Sequence, residues 1–126
     1  MNKEDLQERL NLLALRIFKL VDHIPNTLSG QTIARQIVRS GTSPSANYRA
    51  ACLGKSLKDF LNKLKMVEEE LDETNHWLYL LIRSDMIDSS RLQPLFTESQ
   101  ELCNIISKSI ITVKKKLAAD SNDNRD

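Results

Sequence analysis

The feature that most constrains the fold is an unbroken alternation of three- and four-residue steps between apolar positions in the middle of the chain. The positions are Leu57, Phe60, Leu64, Val67, Leu71, Thr74, Leu78 and Leu81. This spacing predicts a helix from Ser56 to Arg83, with one seam repeating every ~3.5 residues as in left-handed bundles. Such a helix is about 42 Å long. In a small domain it must therefore lie lengthwise against other helices.

Two other segments carry the same kind of seam. The first runs from Leu6 to Ile24 and should end before Pro25, because the residue preceding a proline is pushed out of the α region. The other follows a short connection at 85–88 and carries apolar residues at heptad spacing over 92–113. Both segments are predicted to be amphipathic helices of the same bundle.

The second helix is predicted from Gln31 to about Leu53, although it contains Pro44. Small and apolar residues keep the heptad spacing on both sides of the proline, which favours one kinked helix over two short ones. A kink frees backbone carbonyls, and the side-chain amide of Asn47 is expected to bond to them. Pro44 and Asn47 are therefore assigned a structural role at the kink.

Four amphipathic helices with short loops predict an all-α, up-and-down four-helix bundle with a Pro-kinked second helix. The bundle is expected to occupy residues 1–119 as one domain, followed by a polar, disordered tail at 120–126. Only 3 Gly and 3 Pro occur in 126 residues, which argues against a turn-rich sheet protein.

Composition also indicates the cellular compartment of the protein. No apolar run approaches the ~20 residues that span a bilayer, and the first residues lack the order of a signal peptide. The 2 cysteines, Cys52 and Cys103, provide neither a disulfide framework nor a metal quartet. We therefore expect a cytoplasmic protein that does not associate with membranes.

Candidates for catalytic or metal chemistry are weak. Glu73 and His76 have the Glu-x-x-His spacing of di-iron bundles, but such sites need a second motif, and the other histidine, His23, lies in none. Arg16 and His23 lie on one helix face, as in helical ribonucleases, although Ile17 stands where those enzymes carry a polar residue. We expect no metal, no cofactor and no enzymatic activity, with a ribonuclease kept as a minor hypothesis.

Charge is distributed unevenly along the chain. The formal net charge is only +1, yet residues 35–65 hold seven basic residues and one acidic residue, a local net of +6. Residues 68–73 then hold five acidic residues. This polarity indicates a phosphate-binding surface, a self-association face or an ordinary solvated surface. Trp77, beside the apolar seam, suits half-buried packing or an oligomer contact.

Two blocks of sequence resemble a known family. The stretch Arg35–Ala51, which includes Ser40-Gly41-Thr42-Ser43-Pro44-Ser45-Ala46-Asn47-Tyr48-Arg49, is similar to the signature of the 23S rRNA intervening-sequence proteins. A second block agrees at the same spacing: Ser56, Asp59, Phe60, Lys63, Leu64, Lys65, Glu70, Glu73, Thr74, Trp77 and Leu78. Together the blocks cover over a third of the chain.

The resemblance implies a bundle that assembles as a ring-like homopentamer, encoded within insertions in bacterial 23S rRNA genes or elsewhere, with no established enzymatic activity. A related bundle, the accessory protein of diversity-generating retroelements, binds nucleic acid and a reverse transcriptase through a basic surface. By that similarity the candidate nucleic-acid contacts are Arg35, Arg39, Arg49, Lys55 and Lys58. Ala50 departs from the family, which often has Glu there, so that Arg39 or Arg49 is expected to be freer.

Two main hypotheses follow. In the first, the protein is a non-enzymatic oligomer that binds structured RNA, such as rRNA, or another nucleic acid through the basic residues of helix 2 and early helix 3. In the second, it is a homo-oligomeric ring or a scaffold for protein partners, without nucleic-acid binding. The sequence suggests no small-molecule substrate.

Overall fold

The computed structural model describes residues 1–123 and contains four α-helices and no strand within that range. The bounds are Lys3–Val21 for α1, Leu28–Cys52 for α2, Leu57–Ser84 for α3 and Ser89–Asp123 for α4. Each helix packs against the next along the chain, and α1 meets α4 to close the ring. The predicted all-α, up-and-down four-helix bundle is confirmed. No helix in the described range is long and apolar enough to cross a membrane.

Polar side chains begin the helices. Asn2 accepts a hydrogen bond from the Asp5 amide at 2.8 Å, and Ser56 accepts one from the Asp59 amide at 3.0 Å. Each bond satisfies one of the amide groups that a helix start leaves without a partner, which stabilises the helix by about 1 kcal/mol. Ser56 therefore caps α3, as its position before the apolar seam predicted.

The connection between α1 and α2 lies three residues earlier in the chain than the sequence indicated. α1 ends at Val21, and α2 begins at Leu28, three residues before the predicted start, because Thr27 accepts a hydrogen bond from the Gly30 amide at 3.1 Å. A Cβ at Gly30 would lie 2.0 Å from the carbonyl oxygen of Pro25. Gly30 thus permits the loop backbone to pass directly over the first turn of α2.

Helix α2 is continuous across Pro44, as predicted, while the kink itself stays a prediction. Hydroxyl groups bond to carbonyls before the proline: Thr42 donates to Val38 O and Ser43 to Arg39 O, both at 2.7 Å. These bonds give a polar lining to the turn that the proline interrupts.

The bond expected from the Asn47 amide is not formed: within residues 1–123, the Asn47 side chain has no hydrogen bond to a freed carbonyl. The amide of Gln7 on α1 donates instead to Ser45 O at 3.0 Å. This bond joins α1 to the backbone of α2 one residue after Pro44. Whether Asn47 has another role at the kink stays a prediction.

The core lies along the predicted seams. Leu64, Leu71, Leu78 and Ile106 are fully buried, together with Ile37 of α2. Each helix turns its seam inward and the opposite face outward.

Helix α4 contains 35 residues and is about 52 Å long. It continues to Asp123, four residues into the segment 120–126 that the sequence analysis treats as a tail. Residues 124–126 lie outside the described part of the chain.

Candidate nucleic-acid interface

The five cationic residues predicted from the sequence do not form one patch. All five are exposed, but Arg35 lies in the first half of α2 and Arg49 lies near its end, about 21 Å away along the helix axis. Lys55 is in the loop between α2 and α3, and Lys58 is in the first turn of α3. The arrangement therefore divides into one end group and two positions along the side of the bundle.

Arg39, between the two groups, is occupied within the chain. Its guanidinium donates to Glu70 Oε2 at 2.9 Å and forms a second ion pair with Glu73, which joins α2 to α3. The hydrogen bond with Glu73, reinforced by the charges of both carboxylates, raises the pKa of Arg39, while the Arg39 contact lowers the pKa of Glu73. A guanidinium held in this way is a poor phosphate ligand, because the phosphate must compete with two carboxylates.

The antiparallel topology brings further cations to the end of the bundle where α2 ends and α3 begins. α1 starts at this end and α4 runs out of it, so lysines far apart in the sequence become neighbours. We call this surface the basic end and define it by six residues: Lys3, Arg49, Lys55, Lys58, Lys108 and Lys116.

A groove of about 370 Å³ lies within the basic end, between α1, α3 and α4. Lys3, Lys108 and Lys116 line it, and among residues 1–123 no carboxylate does. Its apolar lining includes Phe60 and Val113, and the Lys3 ammonium lies 4.6 Å from the centre of the Phe60 ring. Ammonium groups beside an apolar floor can hold phosphates while a base lies on the floor.

Arg49 faces a different groove, of about 500 Å³, between α1 and α2. Lys3 also lines this groove, but so do the carboxylates of Glu4 and Glu8. Its mixed charge makes it less favourable for a polyanion than the groove beside Phe60.

Sequence reasoning missed Lys3, Lys108 and Lys116. The signal was available, because in an up-and-down bundle the start of the first helix and the end of the last lie together. The lysines at the end of the last seam suggest only favourable charge at a helix terminus when they are considered within their own helix. Summing the charges at each end of the bundle, instead of over a window of consecutive residues, would have grouped these three lysines with Lys58.

Trp77 is half-buried against the core and belongs to the same polar cluster as Arg39. Its indole Nε1 donates to Glu73 Oε1 at 3.3 Å, and its ring meets His76 edge-on with 5.1 Å between centroids. Glu73 thus serves both Arg39 and Trp77. In residues 1–123 no group of three or more His, Cys, Asp or Glu side chains is arranged so that it could hold a metal ion, including around Glu73 and His76.

The two cysteines differ in environment. Burial raises the pKa of the Cys103 thiol, and the charges of Asp72 and Glu68 raise it further. Cys52 is exposed beside the groove that holds Arg49. A thiol with a raised pKa is a weak nucleophile at neutral pH, so Cys103 behaves as a packing residue.

The fold is a four-helix bundle of the kind expected from the two sequence blocks. The profile of the 23S rRNA-intervening sequence protein family matches residues 4–108, and the chain belongs to that family. A solved structure of a protein with unknown function from the S23 ribosomal protein family of Bacteroides thetaiotaomicron VPI-5482 is similar, with a TM-score of 0.78 and 33% identity. The similarity covers 83% of this chain and 97% of that one. Among curated proteins, none matches the chain.

Proposed function

We propose that the protein is a non-enzymatic, cytoplasmic bundle that binds structured RNA through its basic end. The observation that supports this most is the groove lined by Lys3, Lys108 and Lys116, to which no carboxylate of the described part of the chain contributes. Of the five residues identified from the sequence, Arg49, Lys55 and Lys58 belong to this surface. Arg35 is peripheral to it, and Arg39 acts as a link between helices.

Binding by such a surface is driven mainly by the release of counterions from the phosphates. Six cations that each neutralise one phosphate predict a slope of log K against log salt of about −5 on a duplex and about −4 on a single strand. The apolar floor beside Phe60 favours RNA with unpaired bases at a loop or bulge, since a flat ring can cover it.

The direct test is fluorescence anisotropy with a labelled, structured rRNA fragment at about 50 and 200 mM salt, over which the affinity should fall roughly 10³-fold. Lys108→Gln/Lys116→Gln should weaken binding, whereas the matched control Arg35→Gln/Arg83→Gln removes the same charge outside the basic end and should not. Equal losses in both variants would contradict a defined surface. No binding at low salt would contradict RNA binding altogether.

We also propose that the protein self-associates, as a ring-like homopentamer, through the outer face of α1. Leu12, Leu15 and Phe18 are 51%, 53% and 49% exposed, although α1 already buries a full apolar seam on its inner face. A helix that is apolar on both sides is normally covered on both sides. A second copy of the chain is the simplest partner to bury this face, since other copies are present wherever the protein is.

Sedimentation velocity at micromolar concentration tests this proposal. The wild type should sediment as an oligomer and Leu15→Gln/Phe18→Gln as smaller particles, because both changes remove apolar contact area from the interface. Trp77→Ala separates the two possible interfaces: it should leave the assembly size unchanged if α1 mediates contact, and reduce it if Trp77 does. A monomeric wild type would refute self-association.

A further inference from the structure

A second cationic groove lies at the opposite end of the bundle, between the end of α1 and the start of α4. It has a volume of about 270 Å³, and its polar lining consists of Arg16, Lys19, His23 and Arg91. Within the described residues, no carboxylate lines it. Arg16 and His23, which the sequence analysis paired by their spacing, thus share this groove with two further cationic residues, Lys19 of α1 and Arg91 of α4.

We propose that this groove binds a phosphomonoester, with the phosphate held by Arg16 and Arg91. A guanidinium offers a planar pair of N–H donors that matches two phosphate oxygens, so two arginines from different helices can hold one phosphate from two sides. Lys19 adds a third positive charge, and the His23 imidazole can donate a hydrogen bond.

Two carboxylates of α4 that could compete for the arginines are engaged elsewhere. On α4, Glu98 accepts two hydrogen bonds from Arg9, at 2.5 and 3.0 Å, and Glu101 lies 3.4 Å from the same guanidinium. Across residues 1–123, neither Arg16 nor Arg91 forms an ion pair.

Asp88 is the carboxylate that comes nearest to competing for Arg91. It accepts a hydrogen bond from the Ser90 amide at 3.0 Å at the start of α4. The hydrogen bonds from Ser90 lower the pKa of Asp88, and the charge of Arg91 lowers it further. Within residues 1–123 no ion pair joins Asp88 to Arg91, which lines the groove.

The dimensions of the groove favour a small ligand over a duplex. A volume of about 270 Å³ lies at the lower limit of small-molecule pockets, which begin near 300 Å³. Leu20, Ile87 and Leu95 form an apolar floor that can receive the organic part of the ligand. Inorganic phosphate and a nucleoside monophosphate both carry the phosphate group that the arginines recognise. Only the nucleotide also has an organic group that can contact the apolar floor, so the floor distinguishes the two ligands.

This proposal does not depend on RNA binding, because the groove and the basic end share no residue and lie at opposite ends of the molecule. The test is a titration of the ¹⁵N-labelled full chain, followed by amide NMR, with inorganic phosphate, adenosine monophosphate and adenosine at constant ionic strength. Shifts should cluster in the last turn of α1 and over residues 87–95, and should saturate with a Kd of about 1 mM. Tighter binding of the nucleotide than of phosphate would assign the floor to the organic group, and equal binding would identify phosphate as sufficient.

Arg16→Gln/Arg91→Gln should weaken phosphate binding by at least about tenfold while the spectrum stays dispersed. Lys108→Gln/Lys116→Gln is the matched control, since it removes the same charge at the basic end and should bind phosphate as the wild type does. Shifts that fail to saturate, or that persist unchanged in the arginine variant, would overturn the proposal. Because the control carries the change that should weaken RNA binding, the two proposals can fail separately.

Discussion

At the scale of single residues, α2 is held close to its neighbours by small side chains. A Cβ at Gly41 would lie 2.8 Å from Cγ1 of Ile17, so the absence of a side chain lets this core residue of α1 pack directly on the α2 backbone. Beside it, Thr74 of α3 donates a buried hydrogen bond of 2.9 Å to Ser40 Oγ. The small residues of α2 therefore allow Ile17 of α1 to pack closely on one side and Thr74 of α3 to form a hydrogen bond on the other.

Gly41→Ala should lower the free energy of unfolding by about 1 kcal/mol or more. Overpacking of a core contact costs about 1–3 kcal/mol, which exceeds the gain of about 1 kcal/mol from replacing glycine in a helix. Urea denaturation of Gly41→Ala, Ile17→Ala and the double variant measures this. The double variant should be less destabilised than the sum of the single changes by about 1 kcal/mol, and strict additivity would contradict the proposed contact.

The buried serines Ser40 and Ser99 should respond oppositely to alanine. Ser40 Oγ accepts the bond from Thr74, whereas the buried Ser99 Oγ has no partner within the described residues. Ser99→Ala should raise the free energy of unfolding by about 1 kcal/mol, because it removes an unsatisfied hydroxyl and improves helix propensity. Ser40→Ala should lower it by a similar amount. The same denaturation assay checks both, and a loss of stability in Ser99→Ala would show that its hydroxyl has a partner.

At the scale of helices, the pairing of α2 with α3 is polar at the surface as well as small in the core. Arg39 reaches across to Glu70 and Glu73, and Glu73 also accepts a hydrogen bond from Trp77. The guanidinium is 48% exposed, so its ion pairs should contribute only about 0.5 kcal/mol to folding. This contribution fixes the relative register of the two helices more than it stabilises them.

Arg39→Gln should therefore reduce stability slightly at neutral pH and leave RNA affinity nearly unchanged. Because the Arg39 contact lowers the pKa of Glu73 in the folded state, the stabilisation is present above the ordinary carboxyl pKa, near 4. It should disappear as the pH falls further through the lowered value. Denaturation of wild type and variant between about pH 7 and pH 3 follows the difference. A loss of RNA affinity as large as that of Lys108→Gln/Lys116→Gln would contradict the structural role of Arg39.

The helices themselves could be predicted because each carries a seam at heptad spacing, and Ser56 marks the start of α3 by its side-chain cap. The residues at which the helices begin and end are harder to predict. The start of α2 depends on Gly30 passing beneath Pro25 O, a contact between chain segments that no helix pattern encodes. The amide that reaches the backbone near Pro44 comes from Gln7 of α1, and the residue pattern within α2 does not reveal which neighbouring helix makes that contact.

At the scale of the whole molecule, function depends on which helix ends meet. A sequence window finds the charge of residues 35–65, but it cannot show that Arg39 is paired across helices or that Lys3, Lys108 and Lys116 share one groove. The same holds for Arg16 and Arg91, which α1 and α4 bring together from opposite ends of the chain. Chemistry assembled from several helices becomes visible only once the topology is known.

The salt dependence of RNA affinity tests the account most directly. Anisotropy titrations at several salt concentrations should give a slope of log K against log salt of about −4 to −5 for the wild type. In Lys108→Gln/Lys116→Gln the slope should be shallower by about 2, one unit for each lost phosphate contact. An unchanged slope in this variant, or no measurable binding at low salt, would contradict the assignment of RNA binding to the basic end.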